Sequence, residues 1–249
     1  MNLLRASFFL LSAPFILLAL PAQGTGAESS LPLSGWGVIG DRAGKWTPAE
    51  AEGRVVFSAE GFGERGKFPA ASFPKTELRD GQKLEVSAKV AFKGVSGTGN
   101  FRFGIFLKRS KDHARGWLGY CAIAGLEKSL PTGGLYARLP GNESTFDSLQ
   151  DEKPEMSPRL LTQASGSIQN IRNETYRLSM VLIRTGKDIA CSARLVPAVE
   201  GAYPAVEYSA IDQQPGTYVF DTLGFNSRQV LSADVLEFSE VSVTIAPVK

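Results

Sequence analysis

Past its amino-terminal stretch, this chain alternates apolar and polar residues with a period of two, and helical spacing is scarce. The clearest run is QKLEVSAKVAF, where Leu84, Val86, Ala88, Val90 and Phe92 share one parity and Glu85, Ser87 and Lys89 the other. Side chains alternate across a strand, so such a run has one face to bury and one to solvate. TYRLSMVLIRTGKDIACSARLV repeats the pattern on both sides of Thr185–Gly186–Lys187 and predicts a hairpin. The chain closes with DVLEFSEVSVTI, in which Val241, Val243 and Ile245 keep one parity. Further strands are expected near Arg54–Ala59, Gly134–Leu139, Ala205–Ala210 and Tyr218–Asn226. Many short strands between Gly, Pro, Asn and Asp turns predict an all-β protein, an antiparallel sandwich or barrel.

The first residues obey a different rule. MNLLRASFFLLSAPFILLALPAQGTGAESS carries one basic residue, Arg5, then an apolar run, then small residues. That is the layout of a secretory signal, with cleavage expected after Ala22 or Ala27 and a product of roughly 225 residues. Ser12, Ala13 and Pro14 interrupt the run and no basic flank follows, so no membrane anchor is expected after cleavage. The division is residues 1–27 as signal peptide and 28–249 as one β-sandwich domain, secreted or periplasmic. Residues 142–173, rich in polar residues and proline, read as a long loop insert.

The formal charge is +2, far from the basic field that a polyphosphate backbone requires, and no nucleic-acid partner is expected. Cys121 and Cys191 have no metal-type spacing. An exported chain permits one disulfide, but each cysteine sits inside an apolar alternating segment, so two buried thiols explain them as well. Both readings stand.

The order of these segments resembles the concanavalin A-like lectin/glucanase jelly roll, including the LamG-like domains of exported bacterial proteins. The resemblance is carried by SGWGVIGD, KLEVSAKVAF, FRFGIFLKR, GWLGYCAIAG, the late hairpin and DTLGFNSRQ…VLEFSEVSVTI. It implies a jelly roll with a concave sheet face turned toward carbohydrate.

Catalytic patterns are sparse. The glucanase branch sets its carboxylates as E-x-D-x-x-E, which is missing. Its nearest substitute, DVLEFSE, holds Glu237 and Glu240 three apart, a spacing that places them on opposite faces of a regular strand. KTELRDG resembles the R-[ST]-E-L-R element of alginate-lyase-like polysaccharide lyases, with Lys75 in place of the leading arginine. The partner element Q-[IV]-H is absent, and Asp80–Gly81 explains the stretch as a turn. His113, the single histidine, falls in SKDHAR between two strands and reads as a hairpin tip. No G-x-S-x-G elbow occurs and no cofactor is implied; the resemblance leaves room for a calcium ion held by carboxylates and carbonyls, but no acidic loop has calcium spacing.

What remains is surface. Parity turns Phe101, Phe103, Ile105 and Leu107 inward, with Trp117, Gly119, Cys121 and Ile123 on the returning strand. The opposite parity carries Arg102, Gly104, Phe106 and Lys108, then Tyr120, Ala122 and Ala124. GLYARL adds Tyr136 and Arg138 outward, and TLGFNSRQ adds Asn226 and Arg228. Tyrosine offers a stacking face to a sugar ring, Asn pairs with hydroxyls, and Arg forks onto uronate or sulfate. Arg102, Tyr120, Tyr136, Arg138, Asn226 and Arg228 are the candidate ligand residues, with an ordinary solvated face as the plain alternative. The leading reading is an exported, non-catalytic protein that binds a polysaccharide or oligosaccharide. A polysaccharide-degrading enzyme using Tyr120 or Tyr136, lyase before hydrolase, and a structural or adhesive surface protein are the competing readings.

Overall fold

The computed structural model describes residues 27–39, 48–58, 68–97, 99–110, 114, 116–125, 133–140, 158–163, 171–199, 206–229, 231 and 233–248. These residues contain strands and no helix. In chain order the strands are β1 Ser29–Ser30, β2 Gly35–Ile39, β3 Pro48–Ala51, β4 Arg54–Ser58, β5 Phe68–Glu77, β6 Gln82–Lys93, β7 Gly99–Leu107 and β8 Leu118–Gly125. They continue as β9 Gly134–Arg138, β10 Arg159–Gln163, β11 Thr175–Thr185, β12 Asp188–Pro197, β13 Val206–Asp212, β14 Val219–Gln229 and β15 Val235–Pro247.

Two antiparallel sheets stack into a sandwich. The first has eight strands in the order β13-β12-β11-β6-β15-β4-β3, with β1 paired to β15; the second has seven, ordered β10-β9-β8-β7-β14-β5-β2. β15 fills the slot between β6 and β4.

Where one face is solvated, the alternation reads directly. β6 alternates buried and half-buried residues along its length, and β11 and β12 do the same. Gly186, with φ of 61°, takes the first position of a two-residue turn between Thr185 and Asp188, as a type II′ hairpin requires. Asp80–Gly81 turns β5 into β6, with Gly81 at φ 72°. The outer face of the eight-stranded sheet carries Lys83–Glu85, Lys89–Glu240 and Arg194–Glu207 ion pairs and a Ser87–Ser242 hydroxyl contact at 2.8 Å.

The seven-stranded sheet breaks two expectations. Phe101, Phe103 and Ile105 pair directly with Ala124, Ala122 and Tyr120, and direct partners share a face. Tyr120, Ala122 and Ala124 therefore point into the inter-sheet core, and Cys121 and Ile123 point away from it. The parity read from sequence for this strand is inverted. Volume explains the register, because Phe101 and Phe103 each face an alanine and together fill one layer. Gly119 permits it: its φ is 133°, and a Cβ there would run into the Ile105 carbonyl oxygen. Part of the expected 142–173 insert is strand β10, which extends this sheet beside β9.

At the β10–β13 edge a polar clamp joins the sheets. Asp212, fully buried, accepts from the Tyr120 hydroxyl at 3.0 Å, from the Gln214 N–H at 2.9 Å and from the Arg159 guanidinium. Removing the guanidinium leaves a buried carboxylate with no counter-charge. Arg159→Met is expected to cost about 3 kcal/mol of stability at neutral pH. Tyr120→Phe, which deletes one hydroxyl donor, is expected to cost about 1 kcal/mol. Urea denaturation of both variants checks the order.

Candidate functional site

The face of the seven-stranded sheet turned away from the core is built by cross-strand rows. Ile123 on β8, Arg102 on β7 and Asn226 on β14 form one row. Tyr136 on β9, Cys121, Gly104, Gly224 and Ala70 form the next, and Arg138 stands beside Gly119. Arg102, Tyr136, Arg138 and Asn226 thus gather on the face that their parity predicts. Arg228 sits opposite Asn100 on the same strand as Asn226; its side chain lies outside the described residues, as does His113. Tyr120 does not join them. It faces the core, its hydroxyl held by Asp212 and its ring 6.3 Å from Phe220.

This face is closed. Arg102 and Asn226 are 0% exposed, Arg138 2% and Tyr136 7%, so neither an open ligand surface nor a solvated sheet describes it. A second apolar cluster occupies it: Ile39, Phe68, Ala70, Phe106, Ala114, Trp117, Cys121, Ile123 and Tyr136. Trp117 organises the cluster, with Phe68 edge-on at 5.6 Å and Phe106 tilted at 5.7 Å. Its indole N–H donates to the Ser110 carbonyl at 3.1 Å. The Phe106 ring folds over Gly104, filling the depression that small residues would otherwise leave.

Burial forces the polar groups into specific bonds. Arg138 donates from Nε to the Trp117 carbonyl at 2.9 Å and from Nη2 to the Ala114 carbonyl at 3.1 Å. Arg102 donates from Nε to the Asn100 Oδ1 at 2.8 Å. Asn226 accepts at Oδ1 from the Ser227 N–H at 2.8 Å, while its Nδ2 is buried and has no partner among the described residues.

The carboxylates of the last strand are also corrected. Glu240 has φ of 50° and lies in a register shift between Ser239 and Ser242. That bulge puts Glu237 and Glu240 on the same side, not opposite sides. The side is the outer face of the other sheet, where Arg54 and Lys93 meet Glu237 and Lys89 meets Glu240. No group of three or more His, Cys, Asp or Glu among the described residues is placed to hold a metal ion.

Sequence reasoning missed the apolar cluster. Its signal was present in FRFGIFL, where Phe106 breaks a clean alternation and marks a strand buried on both faces. β5 was also missed, because Pro69 and Pro74 interrupt its pattern. Pro74 falls where the β5–β14 ladder shifts register, a place where no ladder N–H is needed.

No family model matches the sequence, and no curated protein matches it. Solved structures do. The winged bean acidic lectin, complexed with methyl-α-D-galactose, aligns over 88% of this chain and 99% of its own at 10% identity, with a TM-score of 0.50. The fold is the concanavalin A-like jelly roll. The exoplasmic/lumenal domain of VIP36, with Ca2+ and Man3GlcNAc bound, covers 86% of this chain and 84% of its own at 10% identity and a TM-score of 0.49. The carbohydrate recognition domain of Emp46p covers 85% and 87% at 12% identity and a TM-score of 0.46.

In this jelly roll the two cysteines are free and lie on different faces, Cys121 in the outer cluster and Cys191 in the inter-sheet core. Burial pushes the Cys121 thiol up to about 12, with Arg102 and Arg138 pulling the other way, and burial raises Cys191 as well, with the Asp212 charge adding to it. Thiolate is the reactive form, so native protein at pH 8 is expected to resist iodoacetamide at both positions, while urea-unfolded protein takes two labels. The folded thiols keep their protons where unfolded ones lose them. Stability is therefore expected to fall as pH rises from about 9 toward 12. Mass spectrometry of labelled peptides and a pH series of denaturation midpoints check the two outcomes.

Proposed function

We propose that the protein is an exported, non-catalytic carbohydrate-binding β-sandwich protein. An oligosaccharide or polysaccharide is recognised on the outer side of the seven-stranded sheet by Arg102, Tyr136, Arg138, Asn226 and Arg228. Tyr120 leaves this set because it faces the core.

The observation that carries the reading is the Asn226 Nδ2. It is a buried donor with no acceptor among the described residues, in a row with Arg102 and on a face with Tyr136 and Arg138. An unmet buried donor costs about 1–3 kcal/mol. A ligand hydroxyl that accepts this bond recovers that cost on binding. Export rests on the layout of residues 1–27.

Two features favour binding over turnover. Glu237 and Glu240 are engaged by cations on the opposite sheet. The Tyr120 phenol is raised far above its ordinary value by burial first and by the Asp212 charge second, and its proton is committed to Asp212. A tyrosine so placed is a poor base. Fold alone does not decide function, so the reading stands on the face and not on the lectin likeness.

Because these groups have almost no exposed surface, association requires the face to open, and an on-rate below about 10⁵ per molar per second is expected. A glycan array selects the ligand, and calorimetry compares wild type with Asn226→Ala. The variant is expected to lose at least about 1 kcal/mol of binding; it also deletes Oδ1, the acceptor of the Ser227 N–H, and is expected to lose about 1 kcal/mol of stability. Equal binding by the variant contradicts the site. Cleavage of an array-positive polysaccharide replaces binding with catalysis.

A further inference from the structure

At the edge of the sandwich formed by β2 and β3 the two sheets part, and a cleft of about 550 Å³ opens between them. That volume lies within the range of small-molecule sites. Its inner wall is Trp36, half-buried, with Phe238 and Val55 behind. The Trp36 ring is held by stacking on Phe225 at 5.9 Å and by tilted contact with Phe238 at 5.0 Å. One side of the indole is thus packed on the core, and the residue also lines the cleft.

Across the cleft stands Glu50. Its direct partner on β4 is Val55, which is buried in the inter-sheet core. Direct partners share a face, so the Glu50 carboxylate points toward the space between the sheets and not toward the outer solvent face. It is exposed and has no ion-pair partner among the described residues. The neighbouring charges are satisfied among themselves: Arg54 meets Glu52 at 3.0 Å and Glu237 at 3.5 Å, and Lys93 also meets Glu237 at 3.3 Å. Glu50 is the charge left over in this group. An inward charge on an edge strand guards against edge-to-edge pairing. Here it also faces an aromatic wall across a ligand-sized space, a combination that guarding alone does not require.

An aromatic face and a free carboxylate attract the same chemistry, an ammonium borne on a body with an apolar side. We propose that this cleft is a second ligand site, which takes an amino sugar with a free ammonium. The ring stacks on Trp36, the ammonium pairs with Glu50, and the hydroxyls meet the polar rim of Ser34, Glu52 and Arg54. The site lies at the sandwich edge and shares no residue with the Asn226 face, so it holds whether or not that face binds glycan.

Calorimetric titration of the protein with a glucosamine tetramer and with its fully N-acetylated counterpart tests the proposal. The glucosamine tetramer is expected to bind, the acetylated one at least tenfold more weakly, and 0.5 M salt to weaken the former. Glu50→Gln, at an exposed position without an ion-pair partner among the described residues, is expected to lower affinity at least fivefold, and Glu50→Lys to abolish binding. Glu207→Gln, on the outer face of the eight-stranded sheet, is expected to change nothing. No binding of the free-amine tetramer, equal binding of the two oligomers, or unchanged affinity in Glu50→Gln overturns the proposal. In those cases the carboxylate only guards the sheet edge. The comparison with Asn226→Ala reports on the other face separately.

Discussion

The hydrogen bond from Tyr120 to Asp212 crosses the sandwich and marks the face of β8 that lies inside it. Asp212 is on the edge strand of one sheet and Tyr120 is well inside the other. With Tyr120 inward, the same strand must send Cys121 and Ile123 outward, and the outer face then carries enough apolar surface to need its own cover. Arg159 completes the clamp from β10, the strand that ends the seven-stranded sheet. One buried carboxylate with three donors therefore ties the two sheets together at this edge and holds Tyr120 inward.

The result is a sheet buried on both sides. Its inner face belongs to the main core and its outer face to the Trp117 cluster. Arginine and asparagine on such a face behave differently from the same residues in water. Each is desolvated, each must find a partner, and a donor that finds none stands out against the rest. The eight-stranded sheet has the opposite character, with ion pairs in solvent that contribute little individually. The candidate groups accordingly lie on the covered face and at the sandwich edge.

This division also decides what the sequence could reveal. β6, β11, β12 and β15 were legible because their sheet has one wet face, and alternation is the direct record of that asymmetry. The resemblance built on those runs led to the jelly roll. β8 was not legible. In LGYCAIAG both parities are apolar, and only the register to β7 says which is inside. Arg102, Tyr136, Arg138 and Asn226 were placed on the correct face because their strands each carry one unambiguous inward pair. Their burial was not legible, since no local pattern tells whether a face is covered by distant chain. The pairing of Trp36 with Glu50 depends on two edge strands of different sheets and has no signature along the chain.

Aromatic contacts offer the most direct check on the central claim, which is that Tyr120 lies inside the sandwich and Trp117 outside it. Nuclear Overhauser spectra of protein with labelled Tyr, Phe and Trp rings read this without mutation. The account predicts cross-peaks between the Tyr120 and Phe220 rings and between the Trp117 and Phe106 rings. Cross-peaks from Tyr120 to Trp117 or Phe106, with none to Phe220, would show β8 facing the other way and would contradict it.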